Sequence, residues 1–236
     1  MTATDLEIGI NTWIGADVKS EGKITVPARQ LTEFVTSIPS DTIDANLDNQ
    51  TFNISTTNNS ASFNTIAADE FPSVTTVTNE KPILKIQKDD LIKAVNRVAF
   101  ACATDDIKPV LTGVLLEISG ESISFVGTDG LRLSRQIIKL ESSAAKEINI
   151  LVPVKALFEL SHIVSEIDED EDIEMYFIED RNQVLFRYGD VDLVSRLIDG
   201  QFPEYRQIIP TGYKTLCKVS KTDFLNSLKV TNIIAK

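Results

Sequence analysis

Histidine and tryptophan each occur once in 236 residues, and cysteine and methionine twice each. With His162 as the sole imidazole, no metal site or nucleophile network built on several histidines can be assembled, and no metal or other cofactor is expected. Cys102 and Cys217 stand 115 positions apart (102 to 217), each in an apolar-periodic stretch. That suits reduced core thiols better than a disulfide or a metal pair. No apolar run approaches the roughly 18 residues of a membrane span, and the N-terminus carries no basic-then-apolar leader, so a soluble, cytoplasmic chain is expected. Neither GxxxxGK[ST] nor GxGxxG occurs, which leaves a phosphate-cradling loop unsupported. Basic residues are outnumbered 35 to 23, for a net charge of −12. This excludes bulk attraction of the whole surface to nucleic acid, while leaving room for a local basic face.

The composition that remains, 42% hydrophobic and 25% charged, is that of a globular chain able to bury a sizeable core, as one large domain or two small ones. Isolated polar features read as surface. His162 shares the polar side of a helical pattern with Lys155 and Glu159. Glu166 to Asp172 is an acidic run without the glycine or ligand spacing of a calcium loop, and so reads as a solvated connection. Trp13 reads as a packing residue rather than a base-stacking platform.

Self-comparison is more informative, because short signatures recur in the same order at nearly constant separation. Val26-Pro27-Ala28-Arg29 returns as Val152-Pro153-Val154-Lys155 (26 to 152, an offset of 126). Phe71-Pro72 returns as Phe202-Pro203 (131), Thr4-Asp5 as Thr128-Asp129 (124), and Ile86 to Leu91 as Val219 to Phe224 (133). The unit is therefore about 130 residues long. One full copy is expected over 81–210, preceded over 1–80 by a copy lacking its first part and followed over 211–236 by one that has begun; both ends look cut.

The complete unit is itself doubled: strand, helix, three strands, twice over. Leu84 to Gln87 reads as a short strand. Asp89 or Asp90 is placed to cap a helix whose Leu91, Val95, Val98 and Cys102 form one stripe, with Lys93 and Arg97 off it. Strands follow at Leu111 to Ile118, Ser122 to Thr128 and Leu131 to Leu140, the last two joined by the Asp129-Gly130 turn signal. A second helix opening at Pro153 buries Leu157, Leu160 and Val164. Strands at Ile173 to Ile178, Gln183 to Arg187 and Val191 to Ile198 close the unit. Helices with one apolar stripe must cover a sheet face, which predicts an α+β layer with the opposite sheet face solvated and tandem layers joined through their edge strands.

At Lys108 to Ile118 (KPVLTGVLLEI), Phe125 to Ser134 (FVGTDGLRLS), Ile150 to Leu160 and Leu193 to Tyr205 (LVSRLIDGQFPEY), the sequence resembles the middle domain of the bacterial DNA polymerase III beta subunit, the sliding clamp. Residues 1–80 resemble the latter part of that family's first domain through ATDLEIGI, TVPARQLTEFVTSIP and AADEFPSV, and 211–236 the opening of its third. The resemblance implies a DNA-clamp fold of tandem domains, antiparallel sheets outside and two helices per domain on the inner face. It implies a non-catalytic subunit of the DNA-directed DNA polymerase holoenzyme, a homodimer ring around duplex DNA held without regard to sequence. The partners would be the replicative polymerase, the clamp loader and other clamp-motif proteins.

Carried over by position, the DNA-facing candidates are Arg29, Lys93, Arg97, Lys155 and, in a loop, Lys108. The wall of the family's partner-peptide pocket falls on Leu111, Thr128, Gly130, Leu131, Arg132, Leu133, Pro203, Gln207 and Ile208. Leu131 stands where histidine is frequent and Gln207 where a basic residue can occur, which leaves peptide preference open. The 236-residue chain alone is expected neither to close a ring nor to bind clamp peptides as an intact clamp does. Two other readings compete: a free-standing protein-interaction module without DNA, and a hydrolase or nuclease built on Asp129 with the acidic loop.

Overall fold

The computed structural model describes residues 1–39, 42–78, 80–105, 107–144 and 146–235. They form two compact units, Met1–Gln201 and Phe202–Lys236. The first unit opens with β1 (Thr2–Thr4), β2 (Ile8–Thr12), β3 (Ile24–Thr25), α1 (Ala28–Ser37), β4 (Asp44–Asp48), β5 (Thr51–Ser55), β6 (Ser60–Asn64) and β7 (Ile66–Ala67). It continues with β8 (Leu84–Ile86), α2 (Lys88–Val98), β9 (Gly113–Ser119), β10 (Ser122–Thr128), β11 (Leu133–Lys139), β12 (Ile148–Pro153), α3 (Val154–Glu166), β13 (Ile173–Ile178), β14 (Gln183–Tyr188) and β15 (Val191–Arg196). From β8 onward this is strand, helix, three strands, twice, as the doubled pattern predicts. The second unit contains a 3-10 turn at Tyr205–Ile208 and α4 (Lys221–Ile234).

Two of the four repeated signatures fall at helix starts. Arg29 and Lys155 are the second residues of α1 and α3, and Lys88 and Lys221 the first of α2 and α4. In α2 the residues at i, i+3, i+4 and i+7 (Leu91, Ala94, Val95 and Val98) are all buried, and in α3 Ala156, Leu157, Leu160 and Val164. Both stripes enter one core with Leu116, Phe125, Ile150 and Phe186 from the sheets. Each fully buried Leu, Ile or Phe there contributes about 1.5–3 kcal/mol by leaving water. Asp89 and Asp90 do not cap α2: its N-cap is Gln87, without a side-chain bond. The two acids lie in the first turn, where their charge still complements the exposed N–H groups.

The main sheet has the order β1-β2-β15-β14-β13-β8 and a second sheet β11-β10-β9-β12, all antiparallel. β2 pairs with β15, so the first and second copies share one sheet through strands that would otherwise be edges. The expectation of a solvated outer face fails on this sheet. Tyr176, Leu185 and Val194 point away from the helices and are buried with Val77, and the half-buried Val74 packs against them. An irregular segment after Phe71 lies across that face, and its period-free sequence carries no strand or helix signal. Strand ends also differ: β9 starts at Gly113 because Pro109–Leu111 forms a 3-10 turn, and β11 spans Leu133–Lys139 because Leu131 and Arg132 belong to the turn.

Candidate functional site

α2 and α3 pack against each other, each with its apolar stripe in the shared core. A helix repeats every 3.6 residues, so residues opposite the stripe face away from it. Lys93 and Arg97 occupy that side of α2, and Lys155 and His162 that side of α3; all four are exposed. Lys93 Nζ lies 3.4 Å from Asp89 Oδ2 and 4.0 Å from an Asp90 oxygen. Arg97 donates from Nη1 to Gln136 Oε1 at 3.1 Å, and its carbonyl accepts from Ser134 Oγ at 2.5 Å. Arg29 Nε sits 2.9 Å from Glu33 Oε1 on α1, with 90% of its side chain exposed. Solvated pairs of this kind contribute about 0–1 kcal/mol, so the cations remain free to exchange a carboxylate for a phosphate. Lys108 is exposed, and its carbonyl accepts from the Leu111 amide at 2.8 Å, which starts the turn before β9.

The β10–β11 hairpin is built by its own polar side chains. Thr128 pairs with Leu133 across the strands; its Oγ1 donates to the Arg132 carbonyl at 2.7 Å and accepts from the Gly130 amide at 3.1 Å. Asp129 Oδ1 accepts from the amides of Leu131 and Arg132, each at 2.9 Å, and its Oδ2 from Arg132 Nε at 2.9 Å. The Arg132 and Leu131 amides hold the Asp129 carboxyl below the ordinary carboxylate range. Gly130, at φ +91°, takes the left-handed position that a side chain would oppose. The result is a hydrogen-bonded tip carrying Leu131, 98% exposed, while Leu111 and Thr128 at its base are buried. An Asp129 whose oxygens are engaged in turn bonds is a builder of the hairpin rather than a hydrolytic base. Among the described residues no cluster of metal-ligating side chains occurs.

Pro203, Gln207 and Ile208 belong to the second unit, where Ile208 is 69% exposed. Trp13, expected to pack, is 53% exposed, and its amide donates to the Asp190 carbonyl at 3.0 Å. Cys102 is a buried free thiol, as expected; burial, with the Asp129 charge second, pushes it up to about 11. Cys217 is free but exposed, against the expectation of a core thiol. Phe100, not anticipated from the sequence, is 59% exposed, with the Arg132 guanidinium 5.8 Å from its ring centroid. Its only signal was an apolar residue off the α2 stripe.

An α+β chain of tandem antiparallel sheets with paired helices on one core defines the DNA-clamp class of fold. The sliding clamp of Bacillus subtilis superposes with a TM-score of 0.80 at 29% identity, over 89% of this chain and 57% of that one. The beta subunit of Thermotoga maritima does so at 0.81 and 27%, over 90% and 57%. Residues 85–204 match the central domain of the DNA polymerase III beta subunit, and residues 1–75 its N-terminal domain. The beta sliding clamp of Synechococcus elongatus is 34% identical over all of this chain and 62% of its own length. The chain belongs to the DNA polymerase III beta subunit family, the sliding clamps, which are non-catalytic subunits of that polymerase. It spans about 62% of the length of that relative.

Proposed function

We propose that this chain supplies part of a processivity factor that encircles duplex DNA and tethers the replicative polymerase during elongation. Residues 1–80 serve as the latter part of a first clamp domain, 81–210 as the whole second and 211–236 as the opening of a third, where α4 is present but the expected strand before it does not form among the described residues. The observation that carries the reading is the pair of packed helices α2 and α3, which turn Lys93, Arg97 and Lys155 away from their common core in a chain of net charge −12. Arg29 extends this basic set from α1, and Lys108 from the loop before β9. Contacts from helix lysines and arginines to phosphates carry no base information, which suits a ring that slides.

The Thr128–Leu133 hairpin, with Leu111 at its base, supplies one wall for the clamp-motif peptides of the polymerase, the clamp loader and other partners. In the second unit, Pro203, Gln207 and Ile208 are proposed as peptide contacts on the sequence resemblance alone. Two complete chains form the family's ring; these 236 residues, spanning 62% of a relative's length, neither close one nor hold clamp peptides at full strength. Native mass spectrometry tests this, and a stable two-chain ring would refute it.

The DNA reading is tested by salt titration of duplex binding. Replacing Lys93, Arg97 and Lys155 together by Gln is expected to weaken binding and to lower the salt slope by roughly 0.9 per lost phosphate contact. An unchanged slope, with a clamp peptide still retained, would favour the interaction-module reading.

A further inference from the structure

The segment linking the first copy to the second is irregular, yet it is fastened at three successive points to both sides of the β2–β15 seam. That seam consists of the pairs from Ile8↔Ser195 to Thr12↔Val191. Val74 is the first point. It lies against Gly9 of β2 so closely that a Cβ there would meet its Cγ1 at 2.6 Å, and it also packs on the outer cluster that includes Val194 of β15. Thr75 is the second. Its Oγ1 donates to Gln183 Oε1 of β14 at 2.7 Å and accepts from Arg181 Nη1 at 3.0 Å, and its carbonyl accepts from Asn11 Nδ2 of β2 at 3.5 Å.

Val77 is the third, itself buried, with its carbonyl accepting from Arg187 Nη2 at 3.1 Å. The same guanidinium grips Asp192, at 2.7 Å from Nε and 2.9 Å from Nη2. Asp192 is fully buried and is the register partner of Asn11. Thus Asn11 and Asp192, opposite each other in the seam, are both tied to this segment. Beside the first two fastenings the segment borders open space: a groove of about 400 Å³ is lined by Pro72–Thr75, the β1–β2 turn and residues of β14 and β15. Attachment through discrete bonds beside open space is the arrangement of a clip, because losing one or two points frees the rest.

We propose that Pro72–Val77 is a releasable clip that holds the joint between the first and second copies closed, so that the seam opens only after the clip lets go. The proposal is independent of DNA or peptide binding. Hydrogen exchange resolved by residue tests it on the V74A/T75V double variant and on R187K, which keeps a cation beside Asp192 but cannot fork to both Asp192 and Val77. In each, amides of β2 and β15 are expected to exchange at least tenfold faster, with those of β9, β10 and β12 unchanged. Faster exchange in residues 72–77 with an unaltered seam would overturn the proposal, because the segment would then be a passive linker. A uniform rise across both sheets would also overturn it, because the segment would then add only general stability.

Discussion

Adding one methyl group at Gly127 probes the seating of the helix that carries Lys93 and Arg97. Gly127 lies in β10 opposite Ser134 of β11, and its φ is not positive, so alanine meets no backbone strain there. Space is the constraint. A Cβ would come within 2.8 Å of Cys102 Sγ, 2.9 Å of the Val98 carbonyl oxygen and 3.0 Å of Val98 Cγ1. The first of these can rotate away, but the carbonyl belongs to the last turn of α2, so the helix end must lift. Overpacking a filled core costs about 1–3 kcal/mol, against about 0.4–1 kcal/mol gained by restricting the unfolded chain. The net expectation for Gly127→Ala is a loss of about 1–2 kcal/mol, or a fall in Tm of roughly 3–6 °C for a chain of this size. Urea unfolding should show a lower midpoint with an unchanged slope. Gly15→Ala, with nothing within 4 Å of the added Cβ, is the control and should stay within about 0.5 kcal/mol. An unchanged or raised midpoint for Gly127→Ala would refute the seating of α2 on β10.

Other consequences follow from single residues. Asp192→Ala strands the partly exposed Arg187 guanidinium, and chemical denaturation should show a loss of roughly 2–3 kcal/mol, below the 3–5 typical of a fully buried pair because Arg187 stays 33% exposed. The Asp129 carboxyl is held below its ordinary 3.8 by turn amides, so the bonds it makes persist above that pH and are lost as pH falls through its lower folded value. An NMR titration should place its midpoint under 3.8; a midpoint at or above it would remove those bonds from the account. Cys217, exposed, should react with a thiol reagent near pH 8 in the folded chain, and Cys102, pushed up to about 11, only after unfolding. Leu160→Ala, from the centre of the α3 stripe, should cost about 2–5 kcal/mol by calorimetry or denaturant melts.

The doubled strand-helix-three-strand unit was legible because its signals are local and repeated. The Leu91, Val95 and Val98 spacing, the proline before α3 and the Asp129-Gly130 turn each specify a conformation within a few residues. The ladder partners of β2 were legible only as an edge that needs pairing. The clip across the outer sheet face was not legible at all. Val74, Thr75 and Val77 have no period to read, and the partners Arg181 and Gln183 of Thr75 and Arg187 of Val77 lie more than 100 residues away. Capping failed at Asp89 and Asp90 for a smaller reason: acids suit both the cap and the first turn, and Gln87, with no capping signature, took the cap. Of the candidate site, the exposure of the helix cations could be read from their position off the stripes, whereas the bond from Arg97 to Gln136 joins elements 39 residues apart in sequence.

Photo-crosslinking would establish whether α2 and α3 present a face to duplex DNA. A photoreactive residue would be placed at position 93 or 155, and in separate chains at position 85 of β8, whose lysine pairs with Glu174 and whose neighbours Leu84 and Ile86 point into the core instead. Salt-sensitive duplex adducts are expected from 93 and 155, and none above background from 85. Equal adducts from all three positions, or adducts from 85 alone, would contradict that expectation.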